Sequence, residues 1–214
     1  MRREAEVKHN CRWKKYPNGK VHVTVFSRNI YTQDGFELWN DEDKEVREPR
    51  QYRLDDPRDD NMRRAKGKIF DIALSNDWDY MLTLTLDKNK IDRYDSKAVI
   101  RPFCKWLNNM VNRKGLQYLI VPELHEDGAI HFHGLINDVL NFVDSGTVKV
   151  PDYEKPIKRS TAIKYGYDLD SSDVRTVYNI KNYNLGFSTA VRIDNNVEAV
   201  SKYMTKYTCK NFQK

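Results

Sequence analysis

The stretch YLIVPELHEDGAIHFHGLI, residues 118–136, decides how this chain reads. Two runs of strand-forming residues, YLIVPELH and AIHFHGLI, flank Glu126-Asp127-Gly128, which has the composition of a hairpin turn. A three-residue loop with Gly128 in the left-handed conformation is a common solution for such a hairpin. In that register His125 lies opposite Ala129, and Glu123 opposite His131. Residues two apart in a strand share a face, and directly paired residues share it too. Glu123, His125, His131 and His133 would then project together. A two-residue turn would move Glu123 to the other face, so the expectation hangs on the turn.

Two imidazoles and a carboxylate suit a divalent metal and leave room for a substrate oxygen. The plainer alternative is a set of polar residues on an exposed sheet face. Ile130, Phe132 and Leu135 around the pair imply that the sheet is buried on its other side. A cupin-like oxygenase also uses His-x-His, usually with a Glu three or four residues later. Here those positions hold Ile136 and Asn137, which argues against it.

Outward from the hairpin, YMLTLTLD (80–87) alternates as a strand, and KAVIRPFCKWLNNMVNR sets Val99, Phe103, Trp106, Leu107 and Met110 on one helical face. NMRRAKGKIFDIALSNDW spaces Ile69, Ile72 and Ala73 as a helix. GFSTAVRI (186–193) reads as a strand and NVEAVSKYMTKYTCKNF as a closing helix, while 138–185 reads as a loop-like insertion. At the other end, CRWKKYPNGKVHVTVFSRNIY reads as a hairpin turning at Pro17-Asn18-Gly19. The charged run NDEDKEVREPRQYRLDDPRDD reads as a connector. The expected fold is α+β, a mainly antiparallel central sheet flanked by helices. Residues 1–57 form a β-hairpin appendage with connector, and 58–214 the main domain.

The 214 residues suffice to bury a core. With 37 Lys and Arg against 31 Asp and Glu the net charge is +6, which favours anionic partners without specifying them. Cys11, Cys104 and Cys209 are odd in number and form no CxxC pair, so a reducing, cytoplasmic setting is expected. No secretory leader and no membrane-length apolar run is present in the sequence.

A second cluster is SKYMTKYTCK, residues 201–210. On a helix, Tyr203 and Tyr207 lie roughly 6 Å apart along the axis, nearly in line. Lys206 and Lys210 follow them at three residues, with Lys202 beside Tyr203. A phenol needs help to act as a nucleophile at neutral pH. Nearby ammonium groups favour phenolate and stabilise charge developing on phosphate. The alternative is a basic helix whose tyrosines pack on the sheet. Jointly the two clusters are equipment for cutting a phosphodiester and holding one end covalently.

On these residues the chain resembles the HUH endonucleases, in particular rolling-circle replication initiators of phages, plasmids and small single-stranded DNA viruses. YMLTLTLD is similar to their first motif, HFHG with Glu123 to their metal motif, and YMTKYTCK to the tyrosine motif of the two-tyrosine phage type. The resemblance implies Mg²⁺ or Mn²⁺ on Glu123, His131 and His133, with Tyr203 as nucleophile and Tyr207 as its partner. It further implies a single-stranded or hairpin origin, a bacterial host cell, and a host helicase and polymerase as partners. His125 stays open between a fourth ligand, a DNA contact and a turn-side residue. Arg63, Arg64, Lys66 and Lys68, with Arg28, Lys14 and Lys15, are candidate phosphate contacts. A relaxase or single-strand transposase is the neighbouring alternative, though relaxases commonly carry their tyrosine near the N-terminus. A catalytically silent origin-binding protein is the alternative from another class.

Overall fold

The computed structural model describes residues 7–31, 59–193 and 204. The chain divides into two compact units, Met1–Arg58 and Asp59–Lys214. In the first, β1 (Val7–Lys15) pairs antiparallel with β2 (Val21–Tyr31). The turn closes through Tyr16 N–H to Lys20 O (2.9 Å) and Gly19 N–H to Tyr16 O (2.9 Å), with Gly19 at φ 80°. Lys14 and Lys15 end β1, and Arg28 falls in β2.

The second unit begins with α1 (Asp59–Ser75), followed by β3 (Tyr80–Leu86) and α2 (Ser96–Lys114). Then come β4 (Tyr118–Leu124), β5 (Ile130–Ile136), β6 (Phe142–Lys149), the two-residue β7 (Ile157–Lys158) and α3 (Arg159–Lys164). The strands β8 (Arg175–Ile180) and β9 (Gly186–Arg192) complete one seven-stranded sheet. Its order is β4-β5-β3-β9-β8-β6-β7, and every pairing is antiparallel. The expected α+β architecture is what the chain adopts.

The alternation in β3 sorts its side chains between the two faces. Leu82, Leu84 and Leu86 are buried in a core with Val99, Phe103, Trp106 and Leu107 of α2. Phe103 stacks on Phe132 of β5, ring centroids 3.7 Å apart and nearly parallel. The helix α2 starts where the Asp95 carboxylate accepts from Lys97 N–H (2.9 Å) and stops at Gly115 in the left-handed conformation. The opposite face is covered at one end by α1, where Ala73, Trp78, Leu119, Val121, Leu135 and Met204 cluster with Ile69 and Ile72.

Two expectations need correction. Leu135 was expected to mark the far side of the sheet from the histidines. It lies instead on their face, packed with the α1 cluster, while Ile130 and Phe132 fill the α2 side. The insertion at 138–185 is not a loop: it supplies β6, β7, α3 and β8 and a small core of Val148, Val150 and Ala162. The period-two signal of β6 is broken by Asp144-Ser145-Gly146, which reads as a turn. Here it is a bulge, with Gly146 at φ 72° and a register shift between Asp144 and Thr147.

Candidate functional site

The β4–β5 hairpin closes as its sequence demands. His125 N–H donates to Ala129 O (2.8 Å), Gly128 N–H donates to His125 O (2.8 Å), and Gly128 sits at φ 84°. The Asp127 carboxylate accepts from Ala129 N–H (2.9 Å), and this bond, ahead of the nearby Arg93 and histidines, holds its pKa below the usual carboxylate range. Asp127 also pairs with Arg93 at 3.0 Å. Ile130 N–H donates to Arg93 O (2.9 Å), so the β3–α2 loop is latched to the hairpin.

That register places Glu123 opposite His131 and Val121 opposite His133. On its other edge β5 pairs with β3, setting Thr85 opposite His131 and Thr83 opposite His133. Two rungs therefore cross the sheet on one face. One carries Glu123, His131 and Thr85, and the other Val121, His133 and Thr83.

The contacts follow those rungs. Thr83 Oγ1 lies 3.1 Å from His133 Nδ1, and Thr85 Oγ1 lies 3.5 Å from His131 Nδ1, the outer limit of a hydrogen bond. His133 Nε2 lies 2.6 Å from Glu123 Oε2, and both side chains are nearly buried. A carboxylate can only accept, so Nε2 carries the proton, and in neutral His133 Nδ1 accepts from the Thr83 hydroxyl. His125 is exposed and stacks on His131, ring centroids 5.0 Å apart at 19°. Burial first, and then the neighbouring His125 and His133, lower the His131 pKa from its ordinary 6.5. His131 is thus neutral near pH 7, the form in which imidazole binds metal.

The donor types on this face suit a divalent ion, but their arrangement is that of a closed hydrogen-bonded pair. Among the described residues no group of three or more His, Cys, Asp or Glu is arranged to hold a metal. The donor chemistry nonetheless allows an exchange. An ion taking Nε2 of His133 would displace its proton, the imidazole would carry its proton on Nδ1, and Thr83 Oγ1 would accept it. Thr83 and Thr85 are site residues that the sequence reading left unassigned. Their signal was the Leu-Thr-Leu-Thr-Leu alternation, which puts both hydroxyls on one face.

The remaining sequence candidates are distributed otherwise. Arg63 and Arg64 are exposed on α1, where Lys66 is half-buried and Lys68 exposed. Lys202, Tyr203, Lys206, Tyr207 and Lys210 lie outside the described residues, as does the expected closing helix apart from Met204. Met204 is helical and fully buried, and it clusters with Leu119, Val121 and Leu135 on the histidine face.

An antiparallel sheet backed by α2, with a His-rich polar face beside Met204, defines a small α+β protein with one concentrated polar site. A family model for the replication-associated protein ORF2 matches residues 79–211, more than half of the chain. The chain belongs to that family, and so to the proteins that act in the initiation of DNA replication. No curated protein and no solved structure matches it. No helix among the described residues is long and apolar enough to cross a membrane.

Proposed function

We propose that the protein is an HUH-type, two-tyrosine rolling-circle initiator that nicks single-stranded origin DNA and keeps the 5' end as a phosphotyrosine diester. The observation that carries this reading is the shared face. Met204, at the centre of Tyr-Met-Thr-Lys-Tyr, packs on the sheet side that presents Glu123, His131 and His133.

In this reading Glu123, His131 and His133 would hold Mg²⁺ or Mn²⁺, with Thr83 and Thr85 accepting from the Nδ1 atoms and fixing the ring orientations. When bound, the ion supplies positive charge that polarises the scissile phosphate and eases departure of the 3' oxygen. The Tyr203 oxygen bonds to phosphorus as the bond from phosphorus to the 3' oxygen breaks. The phenolic proton ends on the departing oxygen, leaving a 3' hydroxyl. One diester replaces another, so a free 3' hydroxyl reverses the step without ATP. Lys206 stabilises the phenolate, and Tyr207 attacks while Tyr203 is occupied. Host helicase and polymerase complete replication.

Origin DNA from the same genetic element, incubated with the protein and Mn²⁺, should give a species that survives denaturing electrophoresis. EDTA and Tyr203→Phe should each abolish it. Loss only in Tyr207→Phe keeps the nickase and exchanges the two tyrosines. The 2.6 Å pair between His133 and Glu123 favours a second reading, a silent origin-binding protein, because each group occupies the other's binding atom. Chelator-insensitive binding with no covalent species on a proven origin would select it.

A further inference from the structure

The histidine face continues past β3 onto β9, where Thr85 is also directly opposite Phe187. Phe187, Thr85, His131 and Glu123 therefore form one rung across four strands. Phe187 is 69% exposed, an unusual state for a large apolar ring on a sheet face beside a polar site. Its placement is enforced by the residue before it. A Cβ on Gly186 would overlap Thr85 O and come within 2.6 Å of Asp87 N, so glycine alone lets β9 lie this close to β3.

Beyond Phe187 the face stays accessible along β8 and β6. Val143 is 50% exposed and Asn179, its partner on β8, is exposed as well. On β6 to β9 the charged side chains described on this face are Lys149, Lys158 and Arg175, toward the far end of the strands. Lys149 is steadied by the carbonyls of Tyr153 and Glu154. An exposed ring, an apolar and amide surface and a cationic end together match an unpaired polynucleotide. Such a strand offers π-faces to stack and phosphates to neutralise.

We propose that Phe187 is the stacking platform for a base of single-stranded DNA, and that it sets which phosphate reaches His131 and His133. Two inter-strand steps, about 10 Å, separate its backbone from that of His131. A base on Phe187 and a phosphate at the histidines would thus belong to neighbouring nucleotides. The strand then runs over Asn179 and Val143 toward the cationic end of β8. This inference rests on the reading of the site as a single-strand nickase.

The test is equilibrium binding of a fluorescein-labelled oligothymidylate of about 20 nucleotides in EDTA, read by anisotropy. Phe187→Ala should weaken binding roughly tenfold, Phe187→Leu nearly as much, and Phe187→Tyr little. Because the ring is exposed, these variants leave the core filled, and unchanged melting curves confirm it. Equal affinity of wild type and Phe187→Ala overturns the platform, as does equal weakening by Leu and Tyr. A covalent species on origin DNA with that equality would refute Phe187 while keeping the nickase. A wild type that binds no oligothymidylate and forms no covalent species would remove both.

Discussion

At the scale of single residues, Thr83 and Thr85 determine what the histidines can do. Each hydroxyl both donates and accepts, so each serves the imidazole whichever nitrogen carries the proton. Thr83→Val keeps the shape and removes the partner of His133 Nδ1. It should lower metal-dependent adduct formation roughly 10- to 100-fold with little change in oligonucleotide affinity, measured in parallel. The 3.5 Å contact of Thr85 is weaker, so Thr85→Val should cost less. His131 gives a pH signature. Its folded pKa lies below 6.5, so the unfolded chain takes up this proton first as pH falls. The stability contributed by neutral His131 is complete above 6.5 and is lost as pH drops from there toward the folded pKa. Thermal melts from about pH 7.5 to about pH 5.5 should show a decline that is shallower in His131→Asn. Equal slopes would mean that this imidazole is not held neutral by the fold.

At the scale of elements, the β4–β5 hairpin carries the site, and two glycines keep it in shape. Gly128 takes the positive φ that the three-residue turn requires. Gly134, next to His133, faces β4 so closely that a Cβ would lie 2.7 Å from Ile120 Cγ1 and 2.9 Å from Leu119 O. The backbone oxygen cannot move aside as a flexible side chain would. Gly134→Ala should therefore push β4 and Glu123 away from β5 and destabilise the domain by about 2 kcal/mol, read by urea unfolding. A neutral effect would show that the strands have slack. This hairpin was legible in the sequence because local chemistry specifies it: Asp127 and Gly128 fix the turn, the turn fixes the register, and the register aligns Glu123 with His131. The α2 stripe, from Val99 to Leu107, was legible for the same reason. By contrast, β6, β7 and β8 were not. Two residues are too few for β7 to show a period, and the bulge at 144–147 interrupts β6. The partners that make them strands are remote in sequence, as with Val177 against Val191. The threonine shell and Phe187 escaped for that reason too, since only cross-strand pairing brings them to the histidines.

At the scale of the whole molecule, the chain belongs to a replication-associated family and carries a net charge of +6. Binding of single-stranded DNA should therefore weaken linearly in log affinity with log salt, by about 0.7 for each phosphate neutralised. At least three such contacts, a slope of roughly −2 or steeper, are expected for a strand crossing the sheet from the histidines to β8. A flat salt response would place the recognition elsewhere. The central claim is the covalent bond between a tyrosine and a 5' phosphate. It is tested most directly by digesting the denatured, Mn²⁺-treated protein–DNA mixture with nuclease and protease and sequencing the modified peptide by mass spectrometry. The account predicts a nucleotide phosphate on Tyr203 of the SKYMTKYTCK stretch. DNA cut to free 5' ends with no modified tyrosine, or no cut on a proven origin, would contradict it.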